Sequence, residues 1–382
     1  MNSLTHRHRW DIFCRVIDNF GDIGVSWRLA RQLAADHGLI VRLWVDNISC
    51  LHALCPEVNP HLQQQQVSGV AIFQDVAAMT CSHCAEVVVE VFGCGLPKNY
   101  LDAMPSAPAK PLWIVLEYLS AEPWVSSHHG LPSPHPHLDV PRYFFFPGFA
   151  EDTGGLLREA DLLDRRAAFG KRQRRAFWRM RGFDDVTPET TTVSLFAYPH
   201  APYREWLDAC IDSGAPVVVS IPEGALARCV RDDYQTGGGK LWRKGQLELR
   251  FVPFVRQEDF DMLLWACDIN FVRGEDSIVR ALWAGEAFVW HIYSQGENAH
   301  VEKLDAFLRR YQDWLEPHAG AAVQDFWHAW NNVENAPPIA DAWRAFMATR
   351  NAQQHGLGQW QNTLLHAGSF TDRLLNFCQK VI

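Results

Sequence analysis

Apolar runs of strand length alternate with amphipathic runs along the first half of the chain. Residues 10–17 form an apolar run, and residues 26–33 place their apolar side chains on one helical face. A short helix is predicted over residues 48–54. Further strand-like runs occupy residues 39–45, 70–73, 86–92, 111–118 and 142–146. This alternation predicts a parallel β-sheet with helices on both faces.

The same pattern restarts after a charged segment at residues 151–185, which we interpret as a solvated helix surface. Strands are predicted over residues 191–198, 216–221, 247–254, 269–272 and 287–292, with helices over 202–213, 257–265 and 276–284. Residues 123–141 are rich in Pro and His and indicate a loop. The sequence therefore predicts two α/β domains, at 1–160 and 185–365. A C-terminal helix, 366–382, is expected to pack back on the first domain.

Composition narrows the class of protein. The 382 residues carry a net charge of −9, which argues against a nucleic-acid partner. No apolar run approaches the roughly 20 residues of a membrane span, and no apolar signal core precedes the first strand. We therefore expect a cytoplasmic protein with no membrane partner. The ten cysteines are scattered, and Cys81 and Cys84 form a lone CxxC, so reduced thiols and no metal site are expected.

The turn after the first strand carries two carboxylates, Asp18 and Asp22. Such a turn lies at the carboxyl end of a strand, where α/β proteins bind ligands. Carboxylates there suit a cation, a hydroxyl or a proton to be removed, and they do not suit a phosphate. The alternative is that both aspartates only form the turn and cap the helix. Neither GxGxxG nor a Walker sequence is present, so dinucleotide oxidoreduction and ATP hydrolysis have no support.

A second candidate site follows the strand at residues 269–272. Arg273 and Gly274 precede a predicted helix, and Asp276 or Ser277 is expected to cap it. Free N–H groups at a helix N-terminus, together with an arginine, suit a diphosphate. The same residues also fit an ordinary capped helix with a surface ion pair, and this alternative stays open.

A nucleotide would need a pocket for its base near the same strand ends. Tyr198, Phe254 and Tyr293 offer aromatic rings that can stack on a base or sugar, and Gln257 can bind a base edge. Each of these four residues, taken alone, also fits an ordinary position in the core or at its rim.

Five segments together resemble the EarP family, the protein-arginine rhamnosyltransferases of bacterial elongation factor P. The segments are WDIFCRVIDNFGDIGVSWRLARQL, LEYLSAE, FFFPGF, FAYP and FVRGEDSIVRALWAG. They are spread over nearly the whole chain. The resemblance implies a GT-B fold of two Rossmann-like domains facing a cleft. The first domain would bind the acceptor and the second the nucleotide sugar.

The resemblance also implies a reaction. L-rhamnose would move from dTDP-β-L-rhamnose to an arginine of elongation factor P, with inversion and without a metal or other cofactor. The modified factor would then relieve ribosome stalling at polyproline. The acceptor surface would be the N-terminal domain of elongation factor P.

By motif, Asp22 corresponds to the proposed general base and Asp18 to the second carboxylate of its loop. Glu275 joins them as a catalytic residue. The resemblance assigns the remaining positions to binding of dTDP-rhamnose: Phe20, Gly21, Tyr198, Phe254, Gln257, Arg273, Asp276, Ser277 and Tyr293.

Three other functions fit parts of the pattern. A GT-B glycosyltransferase with a different sugar or a small-molecule acceptor would share the fold and the base. A non-catalytic nucleotide-sugar-binding protein would bind the donor without turnover. A periplasmic-type binding protein also has two lobes, and the missing signal core argues against it.

Overall fold

The computed structural model describes residues 9–17, 20–74, 84–184, 186–294 and 299–381. The chain divides into two compact units. The first comprises Met1–Ala160 and Leu364–Ile382, and the second comprises Asp161–Thr363. Each unit is built on its own β-sheet with helices packed against it.

The described residues of the first unit form a seven-stranded sheet in the order β3-β4-β2-β1-β5-β6-β7. Every neighbouring pair is parallel except the edge pair β3–β4. The elements are β1 Arg9–Cys14, α1 Gly21–His37, β2 Ile40–Val45, α2 Ile48–Leu54, β3 Gln64–Val67, β4 Val70–Gln74, β5 Val87–Val91, α3 Lys98–Ala103, β6 Leu112–Leu116, α4 Trp124–His128 and β7 Arg142–Phe145.

The described residues of the second unit form a six-stranded sheet in the order β10-β11-β9-β8-β12-β13, with only the β10–β11 pair antiparallel. Its strands are β8 Thr191–Leu195, β9 Val217–Pro222, β10 Leu241–Lys244, β11 Leu247–Val252, β12 Ile269–Arg273 and β13 Ala287–His291. Its helices are α5 Leu162–Ala168, α6 Lys171–Met180, α7 Tyr203–Ile211, α8 Ala225–Asp233, α9 Gln257–Trp265, α10 Glu275–Ala284, α11 Ala299–Gln312, α12 Pro317–Trp330, α13 Ile339–Ala348 and α14 Arg350–His366.

The central strands are buried on both faces, which explains their nearly continuous apolar sequences. All residues of β5 and β6 are buried, as are five of the six in β1. Helix α1 covers one face of this sheet with Ile23, Trp27 and Ala30, which recur at helical spacing and are at most 1% exposed. The helix ends at Gly38, whose φ of +66° forms the left-handed cap that glycine adopts without strain.

Helix α1 begins at Gly21, five residues earlier than the sequence predicts. The Gly24 N–H donates to the Phe20 carbonyl at 2.9 Å, so the first helical turn already includes Asp22. The apolar face also extends back to Ile23, one turn before Trp27. The expectation that Asp22 lies in an irregular turn is therefore wrong.

Short elements escape sequence prediction. Edge strand β3 reads QQQV and has no apolar alternation, and helix α4 lies inside the segment predicted as a loop. Helices α3 and α8 are also additions to the predicted pattern. Strand β3 and helices α3 and α4 carry too few residues for a hydrophobic period to be visible. Helix α8 is nine residues long, and its buried Leu226, Ala227 and Val230 do recur at helical spacing.

Helix α15, Phe370–Lys380, belongs to the first unit. A capping box between Ser369 and Asp372 starts it. Phe370 is 1% exposed and lies edge-on against Phe145, with ring centroids 5.2 Å apart. The Arg373 guanidinium donates to the Ala150, Glu151 and Thr153 carbonyls. The C-terminal segment therefore helps to close the core of the first unit.

We expect Phe370→Ala to lower the free energy of unfolding by about 3–5 kcal/mol, because it leaves a cavity against Phe145. Denaturant titration followed by circular dichroism measures this change. Gln379→Ala is the matched control, since Gln379 is exposed on the same helix and should change stability by less than about 0.5 kcal/mol. Equal losses in the two variants would contradict the packing role of Phe370.

Candidate active site

In the first unit, two carboxylates hold the chain that leaves β1. The Ile17 N–H donates to Asp22 Oδ2 at 2.8 Å, and the Val16 N–H donates to Asp46 Oδ1 at 2.9 Å. These side-chain acceptors replace strand partners, so β1 ends at Cys14 although the apolar run continues to Ile17. Residues 15–17 thus form a tethered segment at the carboxyl edge of the sheet.

Asp22 itself is 3% exposed and lies in the first turn of α1. A carboxylate in this position interacts favourably with the helix macrodipole. Its backbone carbonyl accepts the Ser26 hydroxyl at 2.7 Å. The carboxylate therefore holds the chain that leaves β1 from the first turn of α1. Asp18, the other predicted carboxylate, lies outside the described residues.

The surface beside this segment is aromatic and partly exposed. Phe92 and Tyr118 follow β5 and β6, and their rings stack with centroids 4.1 Å apart and planes 2° apart. Tyr118 is 42% exposed, and Ile17 is 72% exposed. Phe92 has a φ of +54°, an unusual conformation for a bulky residue. The sequence does not predict this pair, because each aromatic residue taken alone fits an ordinary strand end.

In the second unit, the turn between β12 and α10 differs from the predicted cap. Helix α10 begins at Glu275, and its N-cap is Gly274, with a φ of +73° and no side-chain cap hydrogen bond. Asp276 and Ser277 are therefore the second and third residues of the helix, too far along to cap it. The first N–H groups of a helix have no intrahelical partners and attract anions. The predicted cap is wrong, and the helix N-terminus suits an anion better than a capped one would.

Neighbouring side chains hold both acidic residues of this turn. The Lys303 ammonium on α11 lies 2.9 Å from Glu275 Oε1, and both side chains are largely buried, at 21% and 17% exposure. The Gln257 amide lies 3.4 Å from Asp276 Oδ2. The orientation of each carboxylate is thus set by a residue from another helix.

Arg273 lies over two aromatic rings at the end of β12. Its guanidinium carbon is 4.5 Å from the ring centroid of Tyr198 and 4.7 Å from that of Phe196. Tyr293 contacts Tyr198 edge-on, with centroids 5.6 Å apart. Tyr198 is buried and Tyr293 is 57% exposed. The structure thus brings together three predicted site residues from the ends of β8, β12 and β13.

Phe254 and Gln257 follow β11, which lies in the same sheet and is separated from β8 by β9. Phe254 is 36% exposed, whereas Gln257 is buried and is the first residue of α9. Gln257 is linked to the Arg273 turn through Asp276. Because β8, β11, β12 and β13 run parallel, all of these residues lie at one edge of the sheet.

Two histidines at this edge were missed by sequence reasoning. His291 Nδ1 accepts the Tyr198 N–H at 3.1 Å, and the His200 ring stacks on Tyr198 with planes 9° apart. Burial lowers the pKa of His291 to about 3, so its ring is neutral near pH 7. Burial also lowers the pKa of His200. His291 thus orients the Tyr198 backbone without adding charge beside Arg273.

The described residues offer neither a metal centre nor a membrane span. In that part of the chain, no group of three or more His, Cys, Asp or Glu side chains could hold a metal ion. None of the helices within the described ranges combines the length and apolarity needed to cross a bilayer. Cys81, half of the CxxC pair, lies outside the described residues.

Comparisons with known proteins point to one family, and the similarity extends over nearly the whole chain. The model of the family "Elongation-Factor P (EF-P) rhamnosyltransferase EarP" matches residues 10–379. A protein-arginine rhamnosyltransferase of Pseudomonas putida is 46% identical over 363 residues, which cover 94% of this chain and 92% of that protein. A protein-arginine rhamnosyltransferase of Pseudomonas aeruginosa is 43% identical, over 84% of this chain and 86% of that protein.

Solved structures give the same result for the fold. A structure that describes EarP-mediated arginine glycosylation of translation elongation factor EF-P has a TM-score of 0.69. It is 34% identical and covers 98% of this chain and 99% of its own. A glycosyltransferase from Rickettsia africae, 7% identical, reaches a TM-score of 0.53 over 98% of each chain and bears on the fold alone. The predicted GT-B fold class is confirmed. The chain belongs to the EarP family of elongation factor P rhamnosyltransferases.

Proposed function

We propose that this protein is an inverting, metal-independent transferase that moves L-rhamnose from dTDP-β-L-rhamnose to one arginine of elongation factor P. Family membership supports rhamnose and the arginine acceptor. The observation that carries the donor assignment is Arg273 beside the uncapped N-terminus of α10, among aromatic side chains. The product would relieve ribosome stalling at polyproline, and the reaction would take place in the cytoplasm.

The donor diphosphate is assigned to the second unit. As the bond from the rhamnose anomeric carbon to the diphosphate breaks, negative charge develops on dTDP. The Arg273 guanidinium and the α10 amides would stabilise that charge without a metal ion. Tyr198, Phe254, Gln257 and Tyr293 would bind the base and sugars, and Ser277 would add a hydroxyl donor to the phosphates.

The acceptor arginine is assigned to the first unit, at Asp22. A guanidinium has a pKa above ~12 and a carboxyl group one near ~4, so full deprotonation beforehand would cost roughly 11–14 kcal/mol. Asp22 therefore would not remove the proton first. It would bind one N–H, orient the nitrogen toward the anomeric carbon and accept the proton while the C–N bond forms.

Glu275 and the start of α1 have supporting roles in this proposal. Lys303 neutralises and orients Glu275, which suits a carboxylate that contacts the sugar during transfer. Phe20 and Gly21 would contact the donor from the start of α1. Asp18 stays a prediction from the family motif, as the second carboxylate that holds the guanidinium.

A folded acceptor needs more contact surface than one arginine side chain. Ile17 in the tethered segment and Tyr118, which follows β6, are exposed and offer apolar area for the N-terminal domain of elongation factor P. Hydrogen–deuterium exchange with and without elongation factor P tests this assignment. Protection confined to the second unit would refute it.

Intact-mass analysis of elongation factor P decides the reaction itself. Incubation with this protein and dTDP-β-L-rhamnose should add one deoxyhexose to wild-type elongation factor P and none to a variant whose acceptor arginine is replaced by Lys. Mass gain with UDP-glucose instead would establish a different sugar. Donor binding without any mass gain would favour a nucleotide-sugar-binding protein.

We expect Asp22→Asn to lower kcat by about 100- to 10,000-fold, the contribution typical of a general base. The amide oxygen can still accept the Ile17 N–H, so the fold and the affinity for dTDP-rhamnose should stay close to wild type. Steady-state kinetics and calorimetry measure the two quantities separately.

Asp46→Asn is the matched control, because Asp46 accepts the adjacent Val16 N–H in the same manner. Its kcat should stay within a few-fold of wild type. If Asp22→Asn weakens donor binding and leaves turnover at saturation normal, Asp22 is a donor ligand and the assignment as base is wrong.

We expect Arg273→Met to weaken donor binding, in contrast to Asp22→Asn, which should lower turnover. The affinity for dTDP-rhamnose should fall about tenfold or more, because a charge-assisted contact to phosphate is lost. Methionine keeps apolar contact with Tyr198 and Phe196. Calorimetry measures the affinity. Arg204→Met is the control, since Arg204 also lies near a tyrosine ring, that of Tyr203, but is paired with Asp233 on the surface. An unchanged affinity of Arg273→Met for dTDP-rhamnose would contradict the proposal that Arg273 binds the diphosphate.

A further inference from the structure

A buried ion pair links the two helices that carry the donor-site residues. Arg280 Nε and a terminal nitrogen of its guanidinium donate to Asp261 Oδ1 and Oδ2 at 2.7 and 2.6 Å. The two side chains are 0% and 4% exposed. Asp261 lies on α9 and Arg280 on α10, so the pair connects helices that follow two different strands.

The Asp261–Arg280 pair lies one helical turn further along both helices than the contact between Gln257 and Asp276 in the candidate site. Gln257 and Asp261 are four residues apart on α9, and Asp276 and Arg280 are four residues apart on α10, so each pair shares a helix face. Gln257 contacts Asp276 at 3.4 Å, and Asp261 contacts Arg280 one turn further. Four residues of helix span about 6 Å. The two contacts therefore form successive links between helices that run side by side in the same direction.

We propose that the Asp261–Arg280 pair is a positioning device for the nucleotide-sugar site, which sets the distance and rotation between the N-termini of α9 and α10. This inference rests on the proposed donor site. A bidentate guanidinium–carboxylate pair is planar and directional, so it resists both sliding and rotation of the helices. Gln257 on one helix and the α10 amides on the other would bind different parts of the donor.

Stability alone gives a weaker account of the pair. Burying two charges carries a desolvation cost, and apolar replacements of such pairs are commonly as stable or more so. What the bidentate pair adds to apolar packing is a directional contact between the two helices. The predicted signature is therefore a loss of donor affinity beyond any loss of stability.

The test is calorimetry of dTDP with the full-length protein and its Asp261→Asn variant. Asparagine keeps the shape and one acceptor but loses the charge and the bidentate contact. We expect the Kd for dTDP to weaken about tenfold, as a displaced binding group does. The KM for dTDP-rhamnose should rise by a similar factor, with kcat at saturating donor near wild type.

Asp11→Asn is the matched control. Asp11 is 0% exposed and pairs in bidentate fashion with Arg42 inside the first unit. Both substitutions should lower the melting temperature, but only Asp261→Asn should change the Kd for dTDP. A wild-type Kd in Asp261→Asn, with a lowered melting temperature, would overturn the positioning role and leave a purely structural pair.

A second variant decides the question if Asp261→Asn does not fold. Arg280→Lys keeps the charge and removes the planar contact, so an intermediate loss of affinity is expected, and an unchanged Kd would overturn the proposal. If the wild-type protein binds UDP and not dTDP, the donor assignment fails. The same comparison of variants, made with UDP, still decides the role of the pair.

Discussion

The structure of each unit depends on burying parallel β-strands whose backbone polar groups are satisfied only by their neighbours in the sheet. This requirement selects the nearly continuous apolar sequences of β5, β6 and β13, which are buried throughout. It also forces the chain to return to the same end of the sheet between successive parallel strands. Loops that follow the strands therefore gather at one edge, and the polar side chains on those loops become neighbours although they are far apart in sequence.

The two units present different chemistry at these edges. In the first, carboxylates accept backbone N–H groups as β1 ends, so Asp22 and Asp46 shape the chain as well as carrying charge. In the second, the Arg273 guanidinium lies on aromatic rings beside the N-terminus of α10, with a neutral histidine behind it. The acidic residues of the first turn, Glu275 and Asp276, contact Lys303 and Gln257. In the proposed reaction, Asp22 would bind the basic acceptor and Arg273 would stabilise the anionic leaving group.

Polar contacts join helix α10 to two neighbouring helices of the second unit. Glu275 is held by Lys303, Asp276 contacts Gln257, and Arg280 is paired with Asp261. Three successive parts of one helix are thus fixed to α9 or α11. In the proposed donor site, these contacts would keep the α10 N–H groups directed at the diphosphate as negative charge develops on it.

By itself, the sequence determined the α/β class, the main strands and long helices, the family, and the residue types at both edges. The hydrophobic period of a helix and the apolar run of a buried strand are local signals that can be read directly from the sequence. The family motifs are also contiguous segments, so they too can be recognised without the tertiary structure. Only the tertiary structure decided that Asp22 lies within α1, that Gly274 and not Asp276 or Ser277 is the N-cap of α10, and that Phe92 stacks on Tyr118. It alone paired Asp261 with Arg280 and set His291 against Tyr198. Those outcomes depend on which distant groups satisfy a backbone N–H or a buried charge, and no local pattern of residues specifies that choice.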